Sequence, residues 1–320
     1  MSPMKQKNQL EWLSELNNLF QREMPQHRAG LYEAANYHFN SPGKLLRAHL
    51  ALAAGNALGL QHEDNLHWAA ACEILHNASL VHDDISDSST HRRGQKSIRE
   101  FYGADTALCL GDWMVAKAFE LAARNRQFAG PLVALLAHSM QETCNGQISD
   151  VSQSCCADLS QWTTIAQGKT APLLLAPIQG AAIASGLDLQ LDSLNRLVVL
   201  CSLAYQGRND INDIIPSSHR SSDLEGRKPN LVVSLFNCSQ PSQQEFTRWY
   251  QSGDNTQLEK WQRHMATSDV IFEANQRVDG WLAEGETLIA KLPSQLQAVA
   301  RQLLLSAKLK AATLHQERIA

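Results

Sequence analysis

The residues with the clearest chemical potential are three aspartates, Asp83, Asp84 and Asp87, at the end of an apolar stretch. Asp83 and Asp87 are four positions apart, so in a helix they share one face. Carboxylates this close repel one another unless a cation binds them, and Mg²⁺ takes oxygen ligands and completes its shell with water and substrate phosphates. Taken alone, the cluster is equally compatible with a solvated acidic helix end.

A second acidic cluster, Asn209-Asp210-Ile211-Asn212-Asp213, also closes an apolar stretch. Asp210 and Asp213 are three positions apart and again share a helix face. Two acidic clusters at the ends of two apolar helices predict two walls of one cavity. Such a cavity would hold more than one Mg²⁺ with a polyanionic ligand between them.

Basic residues occur where a phosphate ligand would need them. An Arg side chain binds phosphate through two parallel hydrogen bonds, whereas Lys acts as a point charge. Each of these residues alone is typical of a solvated surface, but together with the acids they predict a diphosphate site. They are Lys44, Arg47, Arg92, Arg93, Lys169, Arg227 and Lys228.

The elements that must position these residues are helices. The chain contains only 17 Gly and 10 Pro, and good helix formers dominate. The apolar patterns predict helices over 48–58, 66–86, 104–125, 131–149, 159–186 with a break near Pro172, 191–212, and from 244 onward. Residues 215–230 are predicted to form a loop. No linker or repeat divides the chain, so residues 1–320 are predicted to form one all-α domain.

Composition excludes several classes of function. The 320 residues carry 28 Lys and Arg against 32 Asp and Glu, a net charge of −4, which disfavours a nucleic-acid binder. No apolar run is long enough for a transmembrane segment. The seven Cys are odd in number and show neither disulfide nor zinc spacing, which favours reduced thiols and a cytoplasmic location.

In order along the chain, these motifs resemble those of the trans-isoprenyl diphosphate synthases, also called polyprenyl synthetases. The similarity runs from about Gly43 to Leu235. It rests on Gly43-Lys44-Leu45-Leu46-Arg47, Leu75 to Asp84 with Asp87 and Arg92-Arg93-Gly94, Gly111-Asp112, Gly146-Gln147, Lys169-Thr170, Tyr205-Gln206 before the second acidic cluster, and Asp223 to Lys228. It implies a large helical bundle of the isoprenoid synthase type with a central active-site cavity, and a homodimer.

The resemblance also implies roles residue by residue. Three Mg²⁺ ions would bridge the allylic diphosphate to Asp83, Asp84, Asp87 and Asp210, with Asp213 a weaker ligand. Arg92, Lys169 and Lys228 would hold the same diphosphate. The second substrate, isopentenyl diphosphate, would be held by Lys44, Arg47, His76 and Arg93. Thr170 and Gln206 would line the space where a carbocation forms, and are grouped with Asp83, Asp84 and Lys169 as catalytic.

The implied activity is head-to-tail (1'-4) condensation of isopentenyl diphosphate with an allylic diphosphate to give a trans-polyprenyl diphosphate. The residues four and five positions before Asp83 are Ser79 and Ala78, which point along a helix into the space where the product grows. Both are small, so geranylgeranyl diphosphate (C20) is the favoured product. Farnesyl and longer products stay open, because Trp113, Met114 or Phe119 could instead form the floor.

The chain departs from the family pattern at several positions. Asn209 replaces a carboxylate of the second motif, and residues 214–222 are compressed and lack the usual Gly-Lys stretch. Arg227 stands where many members have Gly, and Ala48 replaces the usual Pro. Two alternatives therefore stay open. One is a catalytically weakened homologue that binds prenyl diphosphate or acts as a partner subunit; the other is an enzyme that ionises an allylic diphosphate but uses another acceptor or cyclises it.

Overall fold

The computed structural model describes residues 3–27, 29–41, 43–152, 158–187, 189, 191–215, 220–239 and 243–316. The regular structure of the described chain is helical apart from one ribbon of two two-residue strands, which confirms the all-α class. It divides into two compact units, one of residues 1–140 and 176–189 and the other of residues 141–175 and 190–320.

The first unit is built around a long central helix. Its helices are α1 (Pro3–Glu23), α2 (Tyr32–Phe39), α3 (Leu46–Ala57), α4 (His62–Ser86), α5 (Ile98–Tyr102) and α6 (Ala104–Ala123). The ribbon pairs β1 (His91–Arg92) with β2 (Gln95–Lys96) in antiparallel register. The central helix α4 packs against α3 and α6, and most of its length is buried.

Two helices contribute residues to both units, namely α7 (Ala129–Ser152) and α8 (Leu159–Ala184). Within the first unit, α8 passes close to the buried ring of Trp68, whose indole N–H donates to the carbonyl of Pro177 at 2.9 Å. A Cβ on Gly180 would lie only 1.9 Å from that ring, so glycine is required for this approach.

The second unit is organised around α9 (Asp192–Ile214), which packs against α14 (Val270–Leu288) and α15 (Ser294–Gln316). Between them in sequence lie α10 (Ser222–Gly226), α11 (Leu231–Ser239), α12 (Gln243–Ser252), α13 (Leu258–Ala266) and a short 3₁₀ helix, Ile289–Lys291, after α14. Aromatic rings join α11, α12 and α13 into a buried cluster. Its members are Phe236, Phe246, Trp249, Tyr250 and Trp261.

Most of the predicted helices are confirmed, with ends shifted by a few residues. The break expected near Pro172 is wrong, because α8 continues through both Pro172 and Pro177. A proline removes one helical hydrogen bond, but packed flanking turns let the helix bend instead of ending. The loop predicted for 215–230 contains the short helix α10. Among the described helices, none combines the length and apolarity that a membrane crossing requires.

Candidate functional site

The first acidic cluster lies at the end of α4. Asp83 and Asp87 share one face of the helix, and Asp84 lies on another. Asp84 is buried and accepts from Arg92 Nε at 3.1 Å and from Arg92 Nη2 at 2.5 Å. Burial raises the pKa of Asp84, and the Arg92 guanidinium opposes that rise. Asp83 and Asp87 are partly exposed and one turn apart at the negative end of the helix dipole. Two acids this close at the negative end of a helix favour an added cation, and the charges of both also act on Arg92, the partner of Asp84.

The Arg92-Arg93-Gly94 motif forms the turn of the β1–β2 ribbon. Arg93 and Gly94 both have positive φ, +54° and +79°, as a two-residue hairpin turn requires. This conformation places the two arginines differently. Arg92 pairs with Asp84, while Arg93 Nη1 donates to the carbonyl of Ser41 at 2.9 Å. A Cβ on Gly43 would lie 2.7 Å from Arg93 Nη2, so Gly43 makes room for the guanidinium.

A buried carboxylate, Glu73, lies close to two basic residues of the first unit, Arg47 and Arg93. Its Oε2 accepts from the backbone N–H of Ala48 at 3.0 Å, at the start of α3. The positive charges of Arg47 and Arg93 act on it, and they oppose the rise in pKa that burial causes. Sequence reasoning missed Glu73, because a single Glu is normally read as a surface residue. Its signal was its place on the apolar face of α4, three residues before His76.

His76 is held in its neutral form. Burial and the positive charges of Arg47 and Arg93 place its pKa well below the usual range. A neutral imidazole adds no charge to a diphosphate site but still offers one N–H donor. Lys44 lies exposed just before α3, which begins after Leu45 in the left-handed conformation. The four residues assigned to isopentenyl diphosphate thus comprise three cations and one neutral donor.

The Gly111-Asp112 pair accommodates the residue that precedes the first acidic cluster. A Cβ on Gly111 would lie 2.1 Å from His82 Nε2, so glycine lets α6 approach this ring. The same nitrogen lies 3.4 Å from Asp112 Oδ1. The pair therefore fixes the end of α4 from which Asp83 projects.

In the second unit, Asp210 is fully buried and bonded to protein donors. Its Oδ2 accepts from the indole of Trp162 and from the backbone N–H of Leu231, both at 2.7 Å. Its Oδ1 accepts from Gln206 Nε2 at 2.8 Å. Burial and the nearby charge of Asp223 raise the pKa of Asp210 well above its usual range. Asp210 thus joins α8, α9 and α11, and the predicted catalytic residue Gln206 is one of its donors.

Asp213 caps the short helix α10. Its carboxylate accepts from the hydroxyl of Ser221, from the backbone and hydroxyl of Ser222 at 3.0 and 2.9 Å, and from the backbone N–H of Asp223 at 3.2 Å. Gln262 holds the same segment, because its Nε2 donates to the carbonyl of Ile214 at 3.3 Å. The end of the short segment after the second acidic cluster, residues 221–223, is therefore bonded to Asp213; residues 216–219 lie outside the described part.

Lys169 is held on α8 by an acid from α7. Its Nζ lies 2.7 Å from Asp150 Oδ2. The helices come together backbone to backbone at Gly146, where an added Cβ would lie 2.4 Å from Lys169 N and from Gly168 C. Thr170 is the next residue and is half-buried. Asp150 was missed from the sequence, although it follows the recognised Gly146-Gln147 pair.

Lys228 belongs to the same segment as a further acid, the half-buried Asp223. Burial, together with the charge of Asp213, raises the pKa of Asp223 to about 7 from a usual 3.8, with Asn230 and Lys228 opposing. Asp223 Oδ2 accepts from Asn230 Nδ2 at 2.9 Å. No role was assigned to Asp223 from the sequence. The acids that interact in this unit therefore include Asp223 as well as the two predicted from the sequence, Asp210 and Asp213.

The donor set fits Mg²⁺ that is shared with a phosphate ligand. Within the described residues, no three His, Cys, Asp or Glu side chains are grouped so as to hold a metal by themselves. Mg²⁺ is commonly bound through one or two carboxylates, with waters and substrate phosphates completing its octahedron. Asp83 and Asp87 supply such a pair.

Comparisons with known proteins agree with the motifs. The chain is 32% identical over 220 residues to a geranylgeranyl pyrophosphate synthase of Geoglobus acetivorans, covering 65% of this chain and 68% of that protein. It is 29% identical over 213 residues to a short chain isoprenyl diphosphate synthase of Methanocaldococcus jannaschii, covering 63% and 65%.

The fold matches a decaprenyl diphosphate synthase from Rhodobacter capsulatus with a TM-score of 0.85 at 22% identity, over 96% of this chain and 98% of that one. The family model described as Polyprenyl synthetase matches residues 28–267. That match extends over most of the 320 residues, and the chain therefore belongs to the polyprenyl synthetase family.

Proposed function

We propose that this protein is a Mg²⁺-dependent prenyltransferase that condenses isopentenyl diphosphate with an allylic diphosphate. The observation that carries the proposal is the arrangement on α4. Asp83 and Asp87 form an acidic pair at its end, while Arg47, His76 and Arg93 lie around Glu73 farther back along the helix. The end of α4 thus offers a place for a metal-bound diphosphate, and its middle, with Arg47 of α3 and Arg93 of the ribbon turn, a basic place for a second diphosphate.

The chemistry requires the allylic C–O bond to break with its electron pair leaving on diphosphate. Bound Mg²⁺ would supply positive charge to that leaving group. As the family resemblance implies, Arg92, Lys169 and Lys228 would add positive charge to the same group, and Asp150 holds Lys169 on α8. The alkene of isopentenyl diphosphate, held by Arg47 and Arg93, then attacks the allylic cation. The proton lost afterwards goes to the departed diphosphate.

Product length is proposed to be geranylgeranyl (C20). Ala78 and Ser79 are both buried on α4, so two small residues occupy the positions that precede the acidic pair. The relative from Geoglobus acetivorans carries the name geranylgeranyl pyrophosphate synthase, which supports the same length. The further proposals from family membership are one functional domain, a homodimer and a cytoplasmic location.

One structural feature favours a second candidate, a homologue that binds prenyl diphosphate without efficient turnover. Asp210 and Asp213 already accept hydrogen bonds from protein donors through both carboxylate oxygens. Asn209 brings no charge to the same motif. A metal on this side would therefore have to share these carboxylates with donors that hold α8, α10 and α11.

A product assay separates the two candidates. Purified protein with Mg²⁺ would be given dimethylallyl, geranyl, farnesyl or geranylgeranyl diphosphate, each with and without isopentenyl diphosphate, and the products sized. Elongation that requires isopentenyl diphosphate is expected. Binding without elongation for every primer would refute the synthase and support the second candidate, whereas diphosphate release without isopentenyl diphosphate would indicate a different acceptor.

A further inference from the structure

Arg227 has an unusual backbone conformation for its residue type. It follows α10 with φ +54° and ψ +36°, in the left-handed region that favours glycine. The family resemblance places Gly at this position in many members, which is consistent with that geometry. A side chain with a Cβ is strained here, so its retention needs a compensating interaction.

The compensating contacts come from the end of α12 and the turn after it. The guanidinium lies over the rings of Trp249 and Tyr250, at 4.5 and 5.2 Å from their centroids. Its Nε donates to the carbonyl of Tyr250 and its Nη2 to the carbonyl of Asp254, both at 2.9 Å. Its Nη1 donates to the carbonyl of Leu224. A cation at a helix C-terminus is also favoured by the helix dipole.

The next residue, Lys228, is held by hydrogen bonds at both its backbone N–H and its carbonyl. Its backbone N–H donates to the carbonyl of Asp223 at 2.8 Å, and its carbonyl accepts from Tyr250 Oη at 3.1 Å. The Lys228 stem runs beside Gly226, with its Cγ and Cε 3.5 and 3.6 Å from where a Cβ would lie. Tyr250 therefore contacts Arg227 and Lys228 together.

We propose that Arg227 is a positioning residue that joins the turn carrying Lys228 to α12, so that the Lys228 ammonium is in place before a diphosphate binds. This inference rests on the proposed function, in which Lys228 contacts the allylic diphosphate. A preformed backbone spares the ligand the entropy cost of ordering this turn. The Arg side chain thus does what a flexible glycine at the same position cannot do.

The test is a double-mutant cycle read by calorimetric binding of inorganic pyrophosphate with Mg²⁺. The variants are Arg227→Gly, which relieves the backbone strain, Lys228→Met, which keeps the side-chain stem, and the pair of them together. Arg227→Gly is expected to weaken binding about tenfold, and to have little further effect once Lys228 is replaced, because coupled residues are not additive. Arg227→Lys, which keeps the charge but loses the planar contacts, should fall between wild type and Arg227→Gly.

The matched control is Lys260→Ala, which removes another cation lying over a ring, 5.1 Å from the centroid of Trp261. It should leave binding unchanged. If Arg227→Gly lowers the affinity for Mg²⁺–pyrophosphate equally in the wild-type and the Lys228→Met protein, the positioning role is refuted. Wild-type affinity in Arg227→Gly or in Lys228→Met would refute it as well. A wild-type protein that binds no Mg²⁺–pyrophosphate would refute the proposed function, and the inference with it.

Discussion

Replacing Glu73 by Gln should destabilise the unliganded protein in a way that a diphosphate ligand reverses. Gln keeps an oxygen that can accept from the Ala48 N–H, which donates to Glu73 Oε2 at 3.0 Å. It removes a buried negative charge that acts on Arg47 and Arg93. Exchanging a hydrogen bond to a charged acceptor for a neutral one costs about 1–2 kcal/mol.

The corresponding loss in melting temperature is about 2–4 °C for a chain of this size. Adding isopentenyl diphosphate supplies new negative charge to Arg47 and Arg93, so the ligand should raise the melting temperature more in Glu73→Gln than in the wild type. Glu73→Ala also removes the acceptor of the buried Ala48 N–H, so its expected cost is larger, about 2–4 kcal/mol.

Thermal unfolding with and without isopentenyl diphosphate is the assay, and Glu142→Gln is the control. Glu142 is an exposed residue in the middle of α7, so its replacement should change little. Equal melting temperatures for Glu73→Gln and the wild type would refute the assigned charge balance. If isopentenyl diphosphate raises the melting temperature equally in both proteins, Glu73 does not act on the diphosphate site, even where Glu73→Gln is less stable.

Three further outcomes are expected. Asp83→Ala should lower turnover by at least about a hundredfold at unchanged melting temperature, since it removes half of the acidic pair; wild-type rates would exclude the metal assignment. Ala78→Phe should shorten the longest product in the sizing assay, and an unchanged product would place the floor of the cavity elsewhere. In EDTA, stability should fall as the pH rises from about 4 towards 7, because folding raises the pKa of Asp223 from 3.8 to about 7 and the folded state then binds the proton more tightly. The loss in unfolding free energy is at most about 4 kcal/mol. The melting temperature of Asp223→Asn should depend less on pH than that of the wild type, and an equal pH dependence in both would contradict the assignment.

The helical periods of the sequence predicted much of this arrangement. The spacing of Asp83 and Asp87 correctly places them one turn apart at the end of α4, and the ordered motifs identify the family. The failure at Pro172 has a physical reason, because packing along α8 outweighs the local preference to break. Assignments of the individual site residues stay predictions.

The partners of those residues were beyond the sequence, because they depend on contacts distant along the chain. Nothing in the spacing shows that Asp84 pairs with Arg92 rather than joining Asp83 and Asp87. From the sequence Glu73 is an ordinary polar residue. Its role follows only from its contact with the start of α3 and from the nearby charges of Arg47 and Arg93. Arg227 looked like a departure, and only its φ and its stacking on Trp249 explain it.

The two acids of the second motif differ in how much bonding capacity they retain. A carboxylate offers about four lone-pair positions. Donors to Asp213 fill two on each oxygen, whereas Asp210 has a second position on Oδ1 beside the bond from Gln206. Asp210 Oδ1, although buried, could thus accept one further bond beside that from Gln206, whereas a metal at Asp213 would have to displace a donor that holds α10. This difference supports the order of the two proposed ligands that the family resemblance implies, Asp210 before Asp213.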